Sequence, residues 1–276
     1  MTRGENRDLR RPGPPSPARR SFPASVLPGA LLVLAAWQVL HLGLGTSAVP
    51  SPLETFATLA DLARRDLAAH LAASLLRVLA ATALQVLIGS AVGIALGASR
   101  RAEFTLGSAV RILHPVPKIA FLPVFMILFG IGDLSKILFV ASVAVFQTVV
   151  SVRDGIAEIP GRLFLAARSL GMGRLELLRH RYVPAGLPRI FTSFRLGLGL
   201  GVSALFFAEN YATRYGAGYL IMNAYSMADY RTTFAGIAAL SLLALGLFGL
   251  ADVLERRFCP WLRAGQIGRA SCRERV

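Results

Sequence analysis

The residues able to do chemistry in this sequence are few and scattered. The four histidines, His41, His70, His114 and His180, stand apart, and none has the spacing of an HExxH metal helix. No Gly-x-Ser-x-Gly elbow and no phosphate-cradling P-loop occurs, so the chain has no visible means of hydrolysing ATP. Paired acids on one apolar run, as a proton-coupled carrier uses, are missing, as is any paired His/Asp or Ser/Lys arrangement of an intramembrane enzyme. Two cysteines exclude a disulfide framework or a Cys-rich metal site. What remains are cations in apolar surroundings: Arg77, Arg111, Lys118 and Arg195. Each would cost ~2.5–3.5 kcal/mol if it faced lipid at mid-depth, so each must face protein, water or an interface.

The elements that hold these residues are apolar. Of 276 residues, 54% are hydrophobic and 16% charged, and the mean hydropathy is +0.57. An ordinary soluble domain carries roughly 25% charged residues, and a globule with so few could not cover its surface. The net charge of +15 comes from 30 basic and 15 acidic residues, with only Lys118 and Lys136 as lysines. A nucleic-acid partner would need the basic residues on one soluble face. They lie instead between apolar runs, as in the cytoplasmic loops of a membrane protein.

A spanning helix needs ~20 apolar residues. Six candidates follow: 26–44, the uncharged run Val78–Ser99, the short run Ile119–Gly132, Ile137–Val152, Ile190–Ala208 and Thr232–Ala251. Lys136 and Arg153 bound the fourth span and are expected to snorkel. With the N-terminus inside, the inner segments are 1–20, 100–118, 153–189 and 252–265. Segment 153–189 carries seven Arg against three acids, while the outer segments 50–70, 133–136 and 209–231 have net charge −1 or 0. The positive-inside bias thus puts both termini in the cytoplasm. The chain reads as an all-α, polytopic membrane protein. Residues 1–22 form a basic, disordered tail and 23–263 one transmembrane domain. Residues 264–276 are set aside, because Gln266–Val276 looks like a sequencing adapter translated through a missing stop codon. Arg19-Arg20 serves as a positive-inside anchor rather than a twin-arginine export signal.

Local signals add detail. Gly89, Gly93 and Gly97 repeat every four residues, as do Gly197 and Gly201, which suits close helix packing. Ser51-Pro52-Leu53-Glu54 fits a capping box opening an amphipathic helix over 52–67. That helix lies on the outer membrane surface or on the protein's own flank. Short or Pro/Gly-broken spans mark a transport path in membrane proteins. Pro115, Lys118 and Pro123 of the third span, with Arg195, Glu209 and Asn210 of the fifth, are therefore the candidate translocation path. The alternative is that the cations snorkel and the prolines only shape packing. Five of six tyrosines fall in 209–231. They form either an interfacial aromatic belt or an outer gate, with Tyr215, Gly216, Gly218 and Tyr219 as its members.

The inner loop 153–189 is too long and patterned for a connector. Leu163–Leu170 and Arg174–Arg181 read as short helices around a break at Gly171–Gly173, and Pro184 and Pro188 mark the entry to the fifth span. This loop resembles the EAA loop of ABC-importer permeases, E-A-A-x3-G-x9-I-x-L-P. Ala166, Ala167, Gly171 and Pro184 match, Val183 replaces Leu, and Leu165 and Arg181 depart from the Glu and Ile. The resemblance runs from about Pro28 to Trp261 and is nearest the nitrate/sulfonate/taurine branch. It is carried by Pro50-Ser51-Pro52, Arg111–Pro123, Phe129–Gly132, Arg168–Gly171, Pro184–Pro188, Phe207–Glu209 and Gly216–Leu220. It implies a permease subunit that is not an enzyme and binds no cofactor, ATP and Mg being held by a separate ATPase. It implies two ATPase subunits docking on a coupling loop that includes Ala166, Ala167, Arg168, Gly171, Arg174 and Pro184. It also implies a second permease subunit, most simply a homodimer, and a periplasmic or lipid-anchored binding protein. The location would be the bacterial inner membrane. The substrate would be a small anion such as sulfonate, taurine or nitrate; the alternatives are a pyrimidine-type vitamin precursor or a stand-alone channel or carrier.

Overall fold

The structure is a computed structural model that describes residues 22–158, 171, 173, 176, 182–211 and 213–260. Among these residues every regular element is a helix. The order is α1 (Phe22–Leu44), α2 (Pro52–Ala63), α3 (Leu67–Ala98), α4 (Arg100–Ala102), a π-helical turn (Glu103–Gly107) and α5 (Ser108–Leu113). A 3-10 turn (Lys118–Phe121), α6 (Leu122–Phe129), α7 (Asp133–Ala157), α8 (Val183–Glu209), α9 (Ala217–Ser226) and α10 (Tyr230–Phe258) complete it. Among the described residues five helices are long and apolar enough to cross a membrane: α1, α3, α7, α8 and α10. A sixth span exists if Arg100–Leu113 and Lys118–Phe129, bent by 86° at their junction, count as one. The chain is a multi-pass membrane protein.

The core is the stack of α3 on α7, with α8 against both. Lipid tails are as apolar as leucine, so close van der Waals packing holds such helices together. The glycine repeat supplies it. A β-carbon on Gly89 would sit 2.6 Å from Thr148 Cβ, one on Gly93 2.8 Å from the Val149 carbonyl, and one on Gly97 2.7 Å from Ile156 Cβ. Three turns of α3 thus lie directly on α7. The space a β-carbon would need at Gly197 of α8 is filled by Gln85 of α3, whose amide donates to Thr148 Oγ1 at 2.9 Å. Val78, Phe139, Val140, Leu198 and Leu205 close the centre around this seam.

The capping box forms as expected. Ser51 Oγ accepts from Glu54 N at 3.2 Å, and Glu54 Oε2 accepts from Ser51 N at 3.1 Å. The helix stops at Ala63, with three residues between it and α3, rather than running to 67. It packs on α10, with Thr55 buried and Leu53 and Phe56 exposed. One face therefore rests on the protein's flank while the apolar face looks outward.

Three expectations need correction. The second span begins at Leu67, not Val78, because Arg77 lies inside the helix and is buried. The third span is broken as its prolines suggest, with Pro115 and Pro117 in the 86° bend. Lys136 does not snorkel; it is 2% exposed, one turn inside α7. The outer segment 209–231 contains the helix α9, hidden from composition by its Gly and Tyr content.

Candidate functional site

The densest chemistry lies where the N-terminal part of α3, the start of α7, the end of α8 and the start of α9 meet. Glu209, the last residue of α8, is 1% exposed. A buried carboxylate is costly unless it is paired and hydrogen-bonded. Its Oε1 accepts from Arg77 Nη1 at 2.7 Å, Ser74 Oγ lies 2.8 and 2.9 Å from its two oxygens, and Gly218 N donates to Oε2 at 2.9 Å. Arg77 is equally committed. It also donates to the Tyr215 carbonyl at 2.7 Å and binds Asp133 Oδ1 through Nε at 2.8 Å and Nη2 at 2.7 Å. Ser74 Oγ accepts from Ala217 N at 2.8 Å, so each group in the chain of bonds has a partner. His70 adds a tie: Gly216 N donates to its Nδ1 at 3.1 Å, and its ring stacks on Tyr219 and tilts against Tyr215.

Local sequence explains this geometry. His70, Ser74 and Arg77 stand four and three residues apart, so they share one face of α3. Gly216 and Gly218 let α9 approach that face. A β-carbon at Gly216 would sit 2.5 Å from Glu209 Cδ, and one at Gly218 would sit 2.7 Å from the Phe206 carbonyl. Asn210, with its amide nitrogen turned inward, donates to the Gly218 and Phe206 carbonyls at 3.1 Å. The residues Glu209, Asn210, Tyr215, Gly216, Gly218 and Tyr219 are therefore brought into one cluster. His70, Ser74, Arg77 and Asp133 belong to it as well. The only sequence signal for them was the three-and-four spacing on α3.

Lys136 lies near this cluster. Asp133, Glu209 and Arg77 all act electrostatically on it. It is 2% exposed.

A second group occupies the break before α6. Lys118 Nζ donates to the carbonyls of Leu113, His114 and Val116 at 3.0, 2.8 and 3.3 Å, and lies 4.6 Å from the centre of the Phe146 ring. The orphan carbonyls at the end of α5 are thus satisfied by an ammonium, and its charge faces an aromatic ring. A hollow of about 160 Å³ lies beside it, lined by Lys118, Phe121, Phe125, Ser142 and Phe146. Pro123 sits in the first turn of α6, where its missing N–H costs nothing. The bent segment rests on α7.

Arg195 is not close to either group in function. Its guanidinium binds Asp252 and Glu255 of α10, tying α8 to α10. These two acids stand three residues apart on one helix, an acid pair not expected from the apolar runs. They sit at the end of α10, beyond the uncharged run.

Of the coupling-loop residues, Ala166, Ala167, Arg168 and Arg174 lie outside the described residues. Pro184 occupies the first turn of α8. Gly171 has φ +77°, a left-handed conformation that a β-carbon disfavours. Gly173 N donates to Glu176 Oε2 at 2.9 Å.

Residues 85–259 match the family model described as binding-protein-dependent transport system inner membrane component. The chain is 34% identical over 192 residues to the taurine transport system permease protein TauC of Escherichia coli, covering 70% of each chain. It is 37% identical over 238 residues to the putative aliphatic sulfonates transport permease protein SsuC of the same species, covering 83% of this chain and 88% of that one. Its fold resembles a chain of the MetNI methionine ABC transporter solved in inward-facing conformations, with a TM-score of 0.60, 18% identity, and coverage of 70% of this chain and 95% of that one. The break before α6, the helix α9 and the glycine-packed centre thus belong to a transport component, and the chain is a member of the binding-protein-dependent inner-membrane permease family of ABC importers.

Proposed function

We propose that two copies of this chain line the pathway of an ATP-driven importer for a small organic anion of the sulfonate or taurine type. The reading is carried by relatedness to permeases named for taurine and aliphatic sulfonates over 70–83% of the chain. The chain is not itself a catalyst and holds no cofactor; ATP and Mg sit on the partner. Two ATPase subunits engage the segment around 163–178, on the cytoplasmic face of a bacterial inner membrane. A binding protein delivers substrate at the opposite face, beside Tyr215 and Tyr219.

The mechanism follows from packing. The α3–α7–α8 body is too tightly seamed to shear, and the Glu209 cluster fastens α9 to it. Closure of the ATPase dimer would therefore move the body as one piece, and the importer would alternate between inward and outward access by rigid rocking. The left-handed backbone at Gly171 gives the coupling segment a turn there. The substrate path passes the hollow beside Lys118, where an ammonium and ring edges can meet an anion. Glu209 and Arg195 serve as ties within the chain rather than as substrate contacts, because their charges are already matched.

Co-expression with an ABC-importer ATPase from the same genome tests the reading. Recovery of a complex with two permeases and two ATPases, dissolved by Gly171→Asp with Ala167→Asp, is the expected result. A folded permease to which no ATPase binds would overturn the importer assignment in favour of a channel or carrier.

A further inference from the structure

A cavity of about 570 Å³ opens at the end of the bundle where α3 finishes and α7 leads into 158–182. Arg100, Arg111 and Arg153 line it with Glu103, Phe104 and Leu96. Three guanidiniums thus face one carboxylate. Glu103 Oε1 lies 3.5 Å from Arg111 and 3.6 Å from Arg153, longer than good hydrogen bonds. Arg153 is otherwise held by Asp154, through Nε at 2.9 Å and Nη2 at 2.8 Å. Arg100 makes no ion pair among the described residues, and the Arg111 side chain is 63% exposed. The cavity therefore has more positive charge than its own carboxylate can match.

Its surroundings are not those of an aqueous anion site. Phe104 is 82% exposed and Ile112 71%, with Leu106 and Leu113 also uncovered on the same bent segment. Large apolar side chains bordering an arginine-lined hollow at a membrane edge present acyl chains with a surface and a phosphate with donors together. Arginine suits phosphate, since its planar fork binds two oxygens at once. The π-helical turn Glu103–Gly107 shapes the floor. Gly107 leaves room for Glu103, whose carboxylate carbon would lie 2.7 Å from a β-carbon there.

We propose that this cavity binds the headgroup of an anionic phospholipid, with the phosphate between Arg100 and Arg111 and the acyl chains along Phe104 and Ile112. Basic pockets between membrane helices on the cytoplasmic side take such headgroups. The inference rests on the orientation adopted above, with 159–181 on the cytoplasmic side. The lipid would brace the bent segment against α7, beside the end of the bundle that the ATPase addresses.

Native mass spectrometry of the full chain in detergent, with phosphatidylglycerol or phosphatidylcholine added, tests it. The wild type should retain phosphatidylglycerol in preference, and Arg100→Gln with Arg111→Gln should lower that preference by about fivefold per arginine. Glu103→Gln should raise it, an effect that misfolding cannot produce. Equal retention of both lipids, or an unchanged preference in the double variant, would overturn the proposal. Displacement of phosphatidylglycerol by millimolar inorganic phosphate would overturn the lipid source in favour of a soluble anion. Loss of ATPase co-purification in the double variant, with lipid preference intact, would reassign the arginines to the ATPase interface. A preference for phosphatidylglycerol in a chain that binds no ATPase would sink the importer reading alone.

Discussion

Arg77 donates to Glu209 at 2.7 Å across 132 residues of sequence, and the two side chains are 8% and 1% exposed. Removing Arg77 leaves the buried Glu209 carboxylate without its cation, and removing Glu209 leaves Arg77 with Asp133 as its one carboxylate. Arg77→Met or Glu209→Met alone should each destabilise the fold by about 3–5 kcal/mol, whereas the double replacement should cost much less than their sum. Denaturant titration in mixed micelles measures the cycle. Additive losses would show that the pair does not act as a unit.

The α3–α7 seam predicts a contrast between glycines. Gly93→Val puts a β-carbon 2.8 Å from the Val149 carbonyl and from Val152 Cβ, both rigid neighbours. Overpacking of that kind costs about 1–3 kcal/mol. Gly246→Ala in α10 meets nothing within 4 Å and should stabilise by about 0.5–1 kcal/mol through helix propensity. Thermal unfolding of the two variants should move in opposite directions.

At the coupling segment, Gly171→Ala and Gly173→Ala should differ. The first forces a β-carbon into φ +77° and should cost about 1–2 kcal/mol locally. The second meets only the Glu176 carboxylate, at 4.0 Å, and its backbone is not left-handed. ATPase recovery in pull-downs should fall for the first and hold for the second.

The cap of α2 is sensitive to acid. Hydrogen bonding from the Ser51 backbone holds the Glu54 carboxyl below its ordinary value of 4.5, aided by Arg231. A depressed folded value means that the stabilisation is complete above 4.5 and is lost as pH falls through the lowered value. The melting-temperature advantage of the wild type over Glu54→Gln should be present at pH 7 and vanish in acid. A constant gap across that range would show that the carboxylate charge does not contribute.

Much of this architecture was legible because it is periodic or local. The four-residue glycine repeat fixed which face of α3 packs, and Ser51 with Glu54 marked a helix start. Arg77 and Lys136 misled because a charge normally ends a span. Nothing near Arg77 in sequence announces Asp133 or Glu209, since those partners arrive only when distant helices pack. The 86° break was readable as irregularity from Pro115 and Pro117 but not as an angle, which depends on Lys118 reaching back to three carbonyls. The acids Asp252 and Glu255 lay past the apolar run and gave no hint of Arg195.

The attachment of α1 has a consequence for the bilayer around it. Its hydrogen bonds to other elements, among the described residues, are Trp37 Nε1 to the Pro50 carbonyl at 3.2 Å and His41 Nδ1 with the Val49 carbonyl at 2.7 Å. Both fall in its C-terminal half, and none of its spanning window is buried. A helix pinned at one end and free along its length can tilt on that pin when hydrocarbon thickness changes. In thinner or thicker membranes the mismatch is then taken up by this outrigger, and the glycine-seamed centre keeps its register.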